Sequence, residues 1–133
     1  MRNLFLFLLG IAIGVLATAN IVTALRQRDA YPRGLMNVMQ HHYAELREQV
    51  DAQRCSGQIS AHLAVMRLLS NQIESAIYGN QPPDSGFHTD ADDLRQSLNR
   101  AESASKSPNA CVALVPELKR VGDACDTCHR SYR

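Results

Sequence analysis

The chain has 133 residues, of which 45% are hydrophobic and 20% are charged, and its formal net charge is +1. One ordinary domain is expected at this length. A near-neutral chain without a basic block argues against nucleic acid as a partner. Trp is absent, and the aromatic residues are four Tyr and three Phe. Because large aromatic side chains are few, the side chains of the protein alone would form a small hydrophobic core.

The first segment is apolar and predicts export. Residues 4–25 contain no charged side chain and follow a short start that carries Arg2. A secretory signal peptide has this pattern, with cleavage near Ala19. A helix that stays anchored in the bacterial inner membrane also has this length. Both alternatives place the remaining chain in the periplasm, so we divide the sequence into a leader or anchor, 1–28, and an exported domain, 29–133.

Apolar side chains recur at helical spacing in the exported domain. Four helices with short or medium connections predict an all-α fold, an antiparallel up-down four-helix bundle. Pro116 lies inside the last predicted helix, which either kinks or begins there. The first, second and fourth predicted helices span about 29–50, about 56–78 and about 109–132. The third is predicted to start at Thr89, as its N-cap, and to end before Ser105.

A CxxCH motif, Cys125 to His129, lies near the end of the last predicted helix. It is the attachment sequence for c-type haem, in which two thiols form thioethers and the His coordinates iron. On a helix, Cys125, Cys128 and His129 share one arc with the apolar stripe, which places the haem in the bundle interior. The stripe residues in that arc are Leu114, Leu118, Val121 and Tyr132.

A CxxC pair can also bind zinc or act as a redox dithiol. A zinc site needs further ligands, and the sequence has no second CxxC. A redox dithiol of the thioredoxin type opens a helix after a strand, whereas this motif lies at the end of a helical segment. Haem attachment is therefore the preferred prediction.

With this motif, the chain resembles the cytochrome c′ and cytochrome c556 family over roughly residues 29–133. The segment 125–133 is similar to the family pattern CxxCHxxYR, and 31–43 is similar to the family's first helix. The resemblance implies one covalent haem c in a four-helix bundle, with His129 as the proximal iron ligand and Met36 as the distal one. The other residues expected around the haem are Arg33, Met39, Val121, Tyr132 and Arg133. Pro32 stands where the family often has an arginine that contacts a haem propionate, and Arg33 follows it.

The distal residue separates two functions in this family. An apolar residue leaves the iron five-coordinate, and such members bind NO or CO. A Met closes the site, as in the cytochrome c556 type, and its soft thioether raises the reduction potential. Met36 therefore predicts a low-spin electron carrier that is not an enzyme. Ligation by Met39, bis-His ligation through His42, and an open site that binds NO or CO remain as alternatives.

Several kinds of partner follow from this interpretation. We expect redox partner proteins that bind transiently, and contact with the inner membrane through residues 4–25 if the leader is retained. Relatives are often dimers, so a homodimer is one alternative for the oligomeric state. A structural or accessory subunit of a larger complex is a further hypothesis.

The other two cysteines predict a disulfide. In an up-down bundle, Cys55 lies between the first two helices and Cys111 at the start of the last, at one end of the bundle. An oxidising compartment favours their pairing over two separate thiols. His41 is expected to be solvated, and His62 and His88 are expected to be ordinary surface or edge residues without a partner.

Overall fold

The computed structural model describes residues 2–55 and 57–132, without the side chains of residues 2–6 and 24–29. Within these ranges the chain is all-helical and contains no strand, which confirms the predicted all-α class. The helices are α1 (Arg2–Asp51), α2 (Gly57–Ser70), α3 (Ile73–Tyr78), α4 (Ser85–Ser105) and α5 (Ala110–Tyr132).

The chain divides into two units, Met1–Arg33 and Gly34–Arg133. In the first unit the side chains of residues 7–23 are exposed. Among the residues that the structure describes, no helix combines the length and the apolar character needed to cross a membrane. The structure does not describe the side chains of residues 4–6 and 24–25, which form the two ends of the predicted apolar segment 4–25.

Two of the predicted helix starts are wrong. The first helix does not begin at Asp29, because α1 continues through Pro32. Proline keeps a helical φ, but it removes one backbone hydrogen bond and crowds the carbonyl of residue i−4, so it disfavours a helix interior by about 3 kcal/mol without excluding it. The third predicted helix, observed as α4, does not begin at Thr89, because Asp84 caps it. One Asp84 carboxylate oxygen accepts a hydrogen bond from the backbone N–H of Phe87 at 2.9 Å. Aspartate is among the strongest N-cap residues.

The other helix boundaries lie close to the predictions, with one interruption. A turn at 71–72 separates α2 from α3, where a single helix was predicted. The last helix begins at Ala110 and runs through Pro116, so it does not start at the proline. The predicted start at Ser56 lies outside the described residues.

In the second unit, α4 runs antiparallel to α2 and α3. Arg67 of α2 forms an ion pair with Glu102 near the end of α4. Further along the chain, Glu74 of α3 forms an ion pair with Arg95, which lies earlier on α4. Residue numbers thus rise along one side of the interface and fall along the other, which is the arrangement of antiparallel neighbours.

The last helix is likewise antiparallel to α4 and to the part of α1 in the second unit. The Tyr132 hydroxyl at its end donates to Asp84, whereas Glu117 near its start lies 3.7 Å from Arg100. On the other side, the Tyr43 hydroxyl of α1 donates to the carbonyl of Leu118 at 3.1 Å. These contacts are compatible with a helical bundle.

The core of the second unit is built from the apolar stripes of all its helices. These side chains are buried and form one contiguous cluster. The members with the lowest exposure are Leu46, Leu63, Met66, Phe87, Leu98, Ala101, Leu114 and Val121.

The sulfur atoms of Cys55 and Cys111 lie 1.99 Å apart, at the distance of a disulfide bond. Cys55 lies just before α2 and Cys111 lies in the first turn of α5. The two cysteines therefore meet where they were predicted to meet. Their sequence separation is 56, so the bond closes most of the second unit into one loop.

Replacing both cysteines, Cys55→Ser with Cys111→Ser, should lower the free energy of unfolding by about 2–4 kcal/mol. The reason is that the unfolded chain regains the conformational freedom that the bond removes. Urea unfolding followed by circular dichroism measures the change. A reducing agent should destabilise the wild type to the same level and leave the double variant unchanged. Equal stability of the oxidised wild type and the variant would contradict the prediction.

Candidate functional site

A cavity of about 240 Å³ in the second unit brings together α1 and α5. Its lining includes Met36 and Met39 from α1, and Cys125, Cys128 and His129 from α5. The remaining lining is mixed. Its apolar part comes from α2, α3 and α4, through Met66, Ile73, Ala91 and Leu94, and its polar or charged part includes Gln40, Arg47, Asp90 and Asp126.

Other residues predicted to surround a haem lie elsewhere. Val121 is fully buried in the core and Tyr132 packs at the end of α5, and neither lines this cavity. Arg33 is exposed and belongs to the first unit. Arg133 lies outside the described residues. The roles of these residues as haem neighbours stay predictions.

The thiols of Cys125 and Cys128 are free and half-buried. Burial raises the pKa of Cys125 to about 11, and the nearby Asp126 and Cys128 add to this effect. Burial also raises the pKa of Cys128, and Asp90 contributes. Burial thus disfavours the thiolate form of both groups, whereas an activated redox dithiol has a lowered thiol pKa.

The donor groups that line the cavity fit a covalently held haem. Two free thiols and one imidazole, in the order of the CxxCH motif, lie on one helix, and a thioether lies on another. The apolar lining suits a porphyrin face. Among the described residues, no group of three His, Cys, Asp or Glu side chains is arranged to hold a bare metal ion.

Tyr43 joins α1 to α5 beside this cavity. Its hydroxyl donates to the carbonyl of Leu118, and burial raises the Tyr43 pKa, which keeps the donor protonated. A Cβ added at Gly122 would clash with that hydroxyl oxygen. The absence of a side chain at Gly122 therefore allows α1 to approach α5 one turn before Cys125. Sequence reasoning missed this contact, because an isolated glycine in a helix gives only a weak signal.

Asp84 ties the end of α5 to the start of α4. One carboxylate oxygen accepts from the Phe87 N–H and from the Tyr132 hydroxyl at 2.8 Å, and the other accepts from the Tyr78 hydroxyl at 2.6 Å. The bond from Tyr78, with those from Phe87 and Tyr132, lowers the pKa of Asp84 to about 2. Asp84 in turn raises the pKa of Tyr132 to about 12. This cluster anchors the helix turn that follows His129.

The histidines have partners that the sequence did not reveal. His88 forms an ion pair with Glu74 at 2.5 Å, and this bond raises the His88 pKa. His42 and His62 contact each other through their Nδ1 atoms at 2.8 Å. The expectation that His62 and His88 have no partner was therefore wrong. His42 does not line the cavity, and ligation of iron by His42 stays an untested alternative.

Substituting Gly122→Ala should destabilise the fold by about 0.5–2 kcal/mol. The new methyl group displaces the Tyr43 hydroxyl from a packed interface, which costs about 1–3 kcal/mol, and the helical preference of alanine offsets about 0.5–1 kcal/mol of that. Gly34→Ala is the matched control. No atom lies within 4 Å of the Cβ that it adds, and alanine in a helix favours folding by about 0.5–1 kcal/mol. Urea unfolding of the two variants should give shifts of opposite sign. Equal shifts would contradict this view of the α1–α5 contact.

The pKa of Asp84 predicts a pH dependence of stability. The folded-state pKa of about 2 lies below the ordinary value of 3.8, so the stabilisation is present above about pH 4 and is lost as the pH falls toward 2. Asp84→Asn keeps an N-cap residue and removes the titration. Its unfolding midpoint in urea should fall less than that of the wild type between about pH 4.5 and about pH 2.5. The exposed Asp93→Asn is the control and should follow the wild type; equal acid sensitivity in all three proteins would rule out this role.

No protein family, no curated protein and no solved structure matches this chain.

Proposed function

We propose that this chain is a mono-haem c-type cytochrome that transfers electrons in the bacterial periplasm, with its haem bound in the cavity between α1 and α5. The observation that carries the proposal is the set of donors in that cavity. Met36 on α1 and the Cys125, Cys128 and His129 side chains on α5 line the same space. The haem, when bound, supplies an iron that alternates between the ferric and ferrous states.

Each donor has a distinct role in the proposal. The thiols of Cys125 and Cys128 provide the covalent attachment, and their free state is the one that attachment requires. The His129 imidazole is the proximal ligand and the Met36 thioether is the distal ligand. The Tyr43 contact and the Asp84 cluster hold α5 against α1 and α4, which fixes the helix that carries three of the four donors.

Ligation by Met36 favours electron transfer over gas binding. A thioether is a soft ligand that stabilises ferrous iron and raises the reduction potential. With His129 and Met36 both holding the bound haem, the group would supply a one-electron couple that needs little rearrangement of these two side chains. The adjacent Met39 is the fallback ligand, since it lines the same cavity and is 5% exposed.

Export is part of the same proposal. The Cys55–Cys111 pair at bonding distance supports an oxidising compartment such as the periplasm. We propose that residues 4–25 direct export and are then either cleaved near Ala19 or retained as an anchor. The partners would be redox proteins that bind transiently through small interfaces.

Optical spectroscopy tests the proposal. The protein is produced in a host that attaches c-type haem, and spectra are recorded oxidised, reduced, and reduced with CO. We expect covalent haem with low-spin bands, a weak far-red Met–iron band in the oxidised form, and no response to CO. A high-spin spectrum that shifts with CO would contradict electron transfer and favour a cytochrome that binds NO or CO. Absence of covalent haem in competent cells would contradict both functions.

A matched pair of variants tests which methionine is the ligand. Met36→Leu keeps the side-chain volume but removes the thioether, so the protein should become high-spin and bind CO. Met39→Leu makes the same change three residues later in the cavity lining, and it should stay low-spin. A low-spin Met36→Leu protein with a high-spin Met39→Leu protein would assign the ligand to Met39 instead.

A further inference from the structure

Two histidines meet across the interface between α1 and α2. The Nδ1 atoms of His42 and His62 lie 2.8 Å apart, and the ring centroids lie 5.0 Å apart with the planes tilted by 60°. The rings therefore approach nitrogen to nitrogen and do not stack. This is the geometry of an N–H···N hydrogen bond, which holds a single proton between the two nitrogens.

Gln49 contacts the outer nitrogen of His62. Its side chain is 7% exposed, its Oε1 is buried without a partner, and its Nε2 lies 3.4 Å from Nε2 of His62. With the amide nitrogen facing His62, the ring accepts at Nε2 and donates from Nδ1 to His42. With the amide turned by half a rotation, Oε1 accepts from His62 Nε2–H and His42 donates from Nδ1. In both orientations one proton lies between the two Nδ1 atoms.

The surroundings oppose further protonation of the pair. The titratable groups acting on His42 are His41 and Glu45 on α1 and His62 on α2. Burial, His62 and His41 lower the pKa of His42, and Glu45 opposes them. The first proton added to the neutral pair can bind the outer Nε2 of the donating ring, which leaves the hydrogen bond in place. The second added proton must enter the contact itself, and it places two N–H groups and two positive charges on either side of the 2.8 Å separation. The hydrogen bond cannot survive that change.

This contact adjoins the cavity. Met39 lies one turn before His42 on α1, and Met66 lies one turn after His62 on α2. Both methionines are buried and both line the cavity. Any separation of α1 from α2 at the histidines therefore displaces the cavity wall.

We propose that the His42–His62 hydrogen bond is a pH-sensitive contact that holds α1 on α2, and that uptake of a second proton by the pair separates the helices and opens the cavity wall at Met39 and Met66. The inference goes beyond the proposed function, because it concerns the fold around the cavity and holds with or without a bound cofactor.

The sign of the effect follows from linkage. In the unfolded chain both histidines bind protons below about pH 6.5. The folded pair binds fewer, so unfolding takes up protons and the unfolding equilibrium constant increases as the pH falls. The increase reaches about tenfold per pH unit for each extra proton taken up. Other titratable groups also contribute to the pH dependence of unfolding, among them His88, whose pKa is raised. Their contribution is the same in variants that differ only at the His42–His62 contact.

The test is urea unfolding of the full chain between about pH 7.5 and about pH 5. His62→Asn keeps an acceptor near the position of Nδ1 and removes the titration. His41→Asn is the matched control, because its ring is a neighbour of His42, with centroids 5.4 Å apart, without a hydrogen bond to it. We expect the unfolding equilibrium constants of the wild type and of His41→Asn to increase steeply as the pH falls below about 6.5. The constant of His62→Asn should increase less steeply, and the difference from the wild type should reach up to about tenfold per pH unit.

The same slope for His62→Asn and the wild type would overturn the proposal. A second measurement needs no variant: ¹⁵N NMR of the imidazoles in the folded wild type reports each ring's protonation. At pH 7 we expect one of the two Nδ1 atoms to carry a proton and the other to be unprotonated. As the pair takes up its second proton, the methyl signals of Met39 and Met66 should lose their native shifts. Independent titration of the two rings near pH 6.5, with Met39 and Met66 unaffected, would also overturn it.

Discussion

The contact of α1 with α5 is the constraint on which the cavity depends. The Cys55–Cys111 pair links the connection after α1 to the first turn of α5. Nearer the cavity, Tyr43 of α1 contacts α5 through its hydrogen bond to the Leu118 carbonyl and its position over Gly122. Further along the two helices, both line the cavity of about 240 Å³. Because the helices are antiparallel, the start of α5 meets the end of α1, and the CxxCH motif near the end of α5 reaches the level of the α1 methionines.

The four cysteines show how position decides the chemistry of one residue type. Cys55 and Cys111 meet at bonding distance between a helix connection and a first helical turn. Cys125 and Cys128 remain free on one helix face, where burial raises their pKa values and keeps them protonated. A raised thiol pKa is the opposite of what an activated redox cysteine shows.

The sequence predicted the elements that depend on local or periodic signals. The helical spacing of apolar residues gave the all-α class and placed the last helix well, and the bundle topology brought Cys55 to Cys111. Predictions failed where a residue's role depends on a distant partner. Thr89 resembles a cap, but Asp84 takes that role, also accepting bonds from Tyr78 and Tyr132. His62 has no local signal for its contact with His42, because helix packing alone brings the two rings together.

The central claim is that Cys125 and Cys128 hold a haem covalently, and intact-mass spectrometry of the matured protein tests it most directly. The account predicts a protein whose mass is increased by that of one haem, and no such increase when both cysteines are replaced by serine. An unmodified mass, obtained in cells that attach haem to a co-expressed control cytochrome, would contradict the account.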